Sequence, residues 1–161
     1  MITIRPASRF DNAAIVEIWH EGWHDAHAKL VPPEVHAHRT PETFRKWLET
    51  SDEAYFVAQE NASVIGFVTT KGAELVKLYV SRSARGSAVA TDLLRFAEQR
   101  ILASGERKAY LSCTVGNSRA ERFYRREGWS VSEVFYDPLW FPDGRTNPPA
   151  VETLRFAKQL C

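Results

Sequence analysis

The chain has 161 residues, 44% of them hydrophobic and 25% charged, enough for one domain whose core needs no disulfide or metal staple. Its 21 Lys and Arg against 20 Asp and Glu leave a formal charge of +1, without the basic footprint of a nucleic-acid binder. No run reaches the length of a membrane span, the opening Met1-Ile2-Thr3-Ile4-Arg5-Pro6 lacks a signal peptide's apolar stretch, and two cysteines make no disulfide framework. A cytoplasmic protein with no membrane or nucleic-acid partner is expected, and a homodimer is an allowed assembly.

In chain order, Ile2 to Arg5 alternates and stops at Pro6, which predicts a first strand. Asp11 or Asn12 opens a helix carrying Ile15, Ile18, Trp19, Trp23 and Ala26 at helical spacing until Pro32 and Pro33. Thr40 caps a second helix, with Pro41 in its first turn and Phe44, Trp47 and Leu48 inward. Strands over 54–59 and 63–70, with Asn61 near the turn, read as a hairpin, and 74–80 as a fourth strand. A long helix from about Ser87 to Ala103 and a strand over 108–114 follow. A short helix then runs from Asn117 or Ser118, its cap, to Gly128, whose left-handed conformation closes it. A strand over 129–136, a loop rich in Pro, Gly and Asp over 137–149, and a last strand over 151–157 complete the chain.

Three local patterns carry chemistry. His20-Glu21-Gly22-Trp23-His24 matches the H-E-x-x-H of zinc metallopeptidases, in which two histidines one turn apart hold zinc and the Glu activates water. Gly22 weakens the helix interior, and His27, on the same continuous helix, would string three imidazoles along an edge rather than converge them; no metal is expected. Cys113 falls in a predicted buried strand without an obvious His partner in sequence, the setting of a small hydrophobe rather than of an acyl-carrying nucleophile. The turn Arg85-Gly86-Ser87-Ala88-Val89-Ala90 lies between a strand-like and a helix-like run, so it offers bare N–H groups and a positive helix end to an anion.

About thirty residues after that turn comes the helix of Asn117, with Ala120, Phe123 and Tyr124 on one face and four arginines elsewhere. Leu78, Val80, Arg85, Gly86 and Ala90, followed by Asn117, Ala120, Phe123, Tyr124 and Gly128, resemble the two spaced motifs of the GNAT superfamily, the acetyl-coenzyme A dependent N-acetyltransferases. The element order β-α-α-β-β-β-α-β-α-β-β resembles the GNAT fold over nearly the whole chain: an α/β protein with a mixed sheet that splays between its fourth and fifth strands. One position departs from the family's Arg/Gln-x-x-Gly-x-Gly/Ala turn, since Ala88 stands where the first glycine is usual. Its methyl is conformationally harmless but could hold a pyrophosphate farther from the backbone.

The resemblance implies transfer of an acetyl group from acetyl-coenzyme A to a primary amine, belonging to a small molecule or a peptide, by direct attack on the thioester. It implies Tyr124 as the acid that protonates the departing thiolate and Glu74 as a base for the amine. Backbone groups of Leu78, Tyr79 and Val80 would polarise the carbonyl and pair with the pantetheine arm. Arg85, Gly86, Ser87, Ala88, Val89 and Ala90, with Asn117 and Phe123, would complete the cofactor site. Trp23, His24 and His27, with Trp19, would line the acceptor pocket, and the loop carrying Tyr136, Trp140, Phe141, Asp143 and Arg145 would form a second wall. A non-catalytic acyl-coenzyme A binding module is the other reading of these residues, and a zinc peptidase the third.

Overall fold

Side chains alternate between the two faces of the sheet, and that alternation divides the core into two layers. In the computed structural model, which describes residues 1–161, β1 (Ile2–Pro6) is followed by the hairpin of β2 (Ala54–Glu60) and β3 (Ser63–Lys71). Val57 pairs with Phe67 and Phe56 with Val68, so successive pairs face opposite sides. The first side receives Ile15, Val16, Ile18 and Trp19 of α1 (Asn12–His27) and Phe44 of α2 (Pro41–Thr50). The second receives Leu93, Leu94, Ala97 and Ile101 of α3 (Val89–Ala103).

Beyond β4 (Glu74–Val80) and β5 (Lys108–Thr114) come α4 (Ser118–Arg126), β6 (Ser130–Pro138) and β7 (Ala150–Gln159), giving a seven-stranded sheet in the order β1-β2-β3-β4-β5-β7-β6. Neighbours are antiparallel except β4 and β5, which are parallel and share a single register pair, Glu74 opposite Tyr110. Against β3, Thr69 pairs with Lys77 and Thr70 with Leu75, which leaves Val76 as an extra residue in β4. A bulge bends and twists its strand. After it β4 turns away from β5, while β5 stays with β7 along its whole length. The sheet is therefore mixed and splayed, and the splay exposes the edge of β4 from Val76 to Val80.

Local chemistry fixes the ends of the elements. The Thr40 hydroxyl accepts the Thr43 N–H at 3.2 Å to start α2, and the Asn117 side chain accepts the Ala120 N–H at 3.4 Å to start α4. Gly128, at φ 93°, ends α4 as its sequence position predicts. Several boundaries differ from the sequence reading by a residue or two, and three differences bear on the fold. The connection around Pro32 and Pro33 carries 3-10 turns at Ala28–Leu30 and Pro33–His38. β6 takes in Asp137 and Pro138, which pair with Val151 and Ala150; as an edge strand it tolerates the missing proline N–H. β7 extends to Gln159, where Lys158 is anchored by Glu98 at 3.0 Å and the Leu160 N–H donates to the Arg107 carbonyl at 2.8 Å. No helix is long and apolar enough to cross a membrane.

Candidate active site

Where β4 and β5 part, the fold opens into a cleft of about 820 Å³. β4 supplies one wall, β5 and α4 the other, the end of α1 closes one side and the turn before α3 lies at the mouth. Tyr79 of β4, Cys113 of β5 and Tyr124 of α4 all line it. Tyr124 is buried, its ring held by Phe123, Phe156 and Trp129 at centroid distances of 5.2, 5.8 and 6.4 Å. Burial pushes its phenol well above the ordinary range, with Cys113 and Tyr79 adding to the shift, and no hydrogen bond within the chain offsets it. Tyr124 is thus a protonated donor whose hydroxyl is uncommitted.

Tyr79 reaches its place because Gly22 lets it. A Cβ at Gly22 would stand 2.4 Å from Tyr79 Cδ1, and the ring stacks on Phe67 at 5.8 Å. Burial raises the Tyr79 phenol too, followed by the effect of Cys113. The Cys113 thiol is itself pushed up to about 12, by burial first and the Glu121 carboxylate second, so it remains a thiol at neutral pH. An acyl-carrying role for Cys113 would need the thiolate.

At the mouth, Gly86 has φ 80°, a left-handed conformation for which a glycine is suited. α3 makes its first backward hydrogen bond from Asp92 N–H to Ala88 O, at 2.9 Å. The N–H groups of Gly86, Ala88, Ala90 and Thr91 have no acceptor in the chain, and that of Val89 has only the Ser87 hydroxyl at 3.4 Å. Ala88 itself lies at φ −76° and ψ −1°, so a side chain is at ease there. This row of donors at a helix end fits a pyrophosphate. The segment is tied to α1 by Asp25, which holds Arg82 and Arg85 at 2.8 Å each. Arg82 first, and Arg85 with it, keep the Asp25 carboxyl well below the usual carboxylate range.

Of the residues singled out in the sequence, Leu78, Tyr79, Val80, Arg85, Gly86, Ser87, Ala90, Asn117, Phe123, Tyr124 and His27 converge on the cleft. Ala88 sits just outside the lining, at the N-cap of α3. Val89 is buried in the α3 core, which leaves it only its backbone to offer. Glu74 is at the closed end of the splay, opposite Tyr110, and does not line the cleft. Trp23 and His24 stand behind His27: the Trp23 ring lies tilted against it at a centroid distance of 5.6 Å, and His24 Nε2 bonds the Arg39 carbonyl at 2.8 Å. Burial lowers the His27 imidazole to about 4, with the charge of Arg39 acting the same way, so His27 faces the cleft neutral.

Of the H-E-x-x-H residues, His24 bonds the Arg39 carbonyl, Glu21 pairs with Arg82 at 3.7 Å and Gly22 lies beneath Tyr79; no group of three or more potential ligands converges. Sequence reasoning missed Asp25, Leu30, and Cys113 as a cleft residue. It also missed Arg119, Arg122 and Arg126 as lining residues, although their spacing of three and four places them on one stripe of α4.

The family model described as Acetyltransferase (GNAT) family matches residues 13–129, which include β4, the donor turn and all of α4. The chain belongs to this family. The protein is therefore a GNAT acyltransferase, and both the order of its strands and the splay follow the family's fold. Solved structures agree over nearly the full length. A GCN5-related N-acetyltransferase from Rhodopseudomonas palustris superposes with a TM-score of 0.79 at 18% identity, over 98% of this chain and 95% of that one. PaiA N-acetyltransferase from Thermoplasma acidophilum, in complex with coenzyme A, gives 0.73 at 21% identity, over 99% of each chain. YncA from Salmonella typhimurium, with its cofactor acetyl-CoA, gives 0.73 at 18% identity, over 100% of this chain and 95% of that one. No curated protein matches the sequence.

Proposed function

We propose that this GNAT protein moves an acetyl group from acetyl-coenzyme A to a primary amine by direct attack of the amine on the thioester. The observation that carries the reading is Tyr124, a buried, protonated phenol with no hydrogen-bond partner in the chain, inside the same cleft as the open edge of β4. Acetyl-coenzyme A supplies the acetyl group. Free N–H groups of the Gly86 to Thr91 turn hold the pyrophosphate, and the positive end of α3 adds to them. The unpaired edge of β4 at Leu78 to Val80 offers N–H donors to the pantetheine arm and to the carbonyl, which withdraws charge from the reacting carbon. As the nitrogen–carbon bond forms and the carbon–sulfur bond breaks, Tyr124 gives its proton to the sulfur, and the proton that the nitrogen sheds on becoming an amide passes through cleft water back to the Tyr124 oxygen.

Glu74, at the closed end of the splay, is badly placed to take the amine's proton directly. The amine instead enters neutral or loses its proton to water in the cleft, beside the neutral His27. Cys113, held as a thiol, argues for direct attack over an acyl-enzyme. Thiol release from acetyl-coenzyme A across a panel of amines tests the proposal: amine-dependent release is expected, and binding of acetyl-coenzyme A without release by any amine would favour the binding-module reading.

A further inference from the structure

Arg39 is the chain's one fully buried arginine, 5% exposed, and it has no acidic partner. Its guanidinium lies among three indoles, 5.4 Å from the ring centroids of Trp23 and Trp47 and 5.8 Å from that of Trp140. Nη1 donates to the Trp140 carbonyl at 3.1 Å, and the side chain makes no other hydrogen bond or ion pair. Burial alone acts on its protonation, with no carboxylate near enough to oppose it. Indole faces attract a cation, but they do not accept the N–H donors that lie in the guanidinium plane. Buried charge without a counter-charge is costly, and the arginines that do have an acidic partner here are all more exposed than Arg39.

The box adjoins the acceptor end of the cleft. Trp23 lies between Arg39 and His27, against both, and His27 lines the cleft within range of the Arg39 charge. The third indole, Trp140, is 43% exposed and belongs to the connection between β6 and β7, so solvent reaches the outer wall of the box. The donors left over, Nε and Nη2, form the edge of a guanidinium that grips both oxygens of a carboxylate.

We propose that Arg39 anchors a carboxylate on the acceptor, so that the substrate is an amino acid or another amine carrying a carboxylate. This rests on the acetyl-transfer reading above. The tryptophan box holds the cation in place, its Nε and Nη2 remain accessible, and the acceptor's carboxylate supplies the missing charge. Discrimination follows from the same geometry, because an amine without the anion leaves the buried charge unpaired.

Binding to the coenzyme A-loaded protein tests this by calorimetry, with glycine, L-leucine, L-phenylalanine, L-lysine and 4-aminobutyrate each compared with its own carboxamide. At least one acid is expected to bind roughly 10- to 100-fold tighter than its carboxamide, the range of a charge-assisted contact. Arg39→Gln should bring that ratio close to one, and Arg39→Lys should restore part of it. Carboxamides binding as well as their acids, no acid binding at millimolar concentration, or a ratio unchanged in folded Arg39→Gln would overturn the proposal. The wild-type ratio decides the matter even if Arg39→Gln fails to fold. Thiol release is followed in parallel: no turnover with any amine counts against acetyl transfer, whereas the binding ratio judges the carboxylate anchor alone.

Discussion

Replacing Tyr124 by Phe removes one oxygen and leaves the packing in place. The ring contacts with Phe123, Phe156 and Trp129 remain, and the hydroxyl has no hydrogen bond in the chain to lose. Stability at neutral pH should therefore change by less than about 1 kcal/mol, the net worth of an ordinary hydrogen bond. Turnover should fall by roughly 100-fold, about 2.7 kcal/mol of barrier, the scale for loss of a positioned acid. Alkaline pH gives a second readout. Because the folded-state pKa of Tyr124 is raised, its contribution is intact below the unfolded value of about 10 and is lost as pH climbs from there towards the folded value. The wild type should thus lose more stability than Tyr124→Phe above about pH 10. Saturating acetyl-coenzyme A, thiol release, and a pre-steady-state measurement establishing that chemistry limits the rate make up the assay. Full turnover by Tyr124→Phe under those conditions would remove Tyr124 from the mechanism.

Three other perturbations probe the walls and mouth of the cleft. Gly22→Ala gains about 1 kcal/mol of helix propensity but sets a methyl 2.4 Å from Tyr79 Cδ1, an overpacking of about 1–3 kcal/mol, so urea denaturation should show no gain or a net loss, and acetyl-coenzyme A affinity should fall as Tyr79 shifts; a more stable variant of unchanged affinity would refute this. Ala88→Gly should leave coenzyme A affinity equal or better by calorimetry, since Ala88 occupies ordinary helical dihedrals at the edge of the donor turn; a large loss would contradict it. Glu74→Gln should depress turnover slightly and evenly across pH, and a deficit concentrated below the amine's own pKa would restore Glu74 as the base.

Elements governed by local chemistry were legible in the sequence. Thr40, Asn117 and Gly128 mark helix ends because a cap is a contact between a residue and its near neighbours. Ala120, Phe123 and Tyr124 mark an inward face because helical spacing alone brings them together. The donor turn could be read as far as its position between strand and helix, which is why most residues singled out around it and on α4 do line the cleft. The opening of the cleft itself was harder to derive from residue properties. It depends on the extra residue Val76 in β4, and nothing in Leu75-Val76-Lys77 distinguishes a bulge from regular alternation before the register against β3 is known.

Long-range pairing explains the remaining misses and locates where specificity resides. Asp25 looks like one more polar residue on an amphipathic helix until the fold brings Arg82 and Arg85 to it, 57 and 60 residues later, and so fastens the donor turn to α1. Trp23 and His24 fall on the face that helical spacing suggests, yet the cleft meets His27, because Trp23 turns towards Arg39 and His24 towards its carbonyl. Arg39 stands between a proline-bounded turn and the Thr40 cap, where an arginine reads as a solvated loop residue. Only the folded chain sets it against Trp140, 101 positions away, and buries it. In a family that acts on amines, the roles proposed for the donor turn and Tyr124 would serve any acceptor alike; on that reading the residues that distinguish one acceptor from another are those gathered from distant segments, and the buried arginine without an acidic partner among them is Arg39.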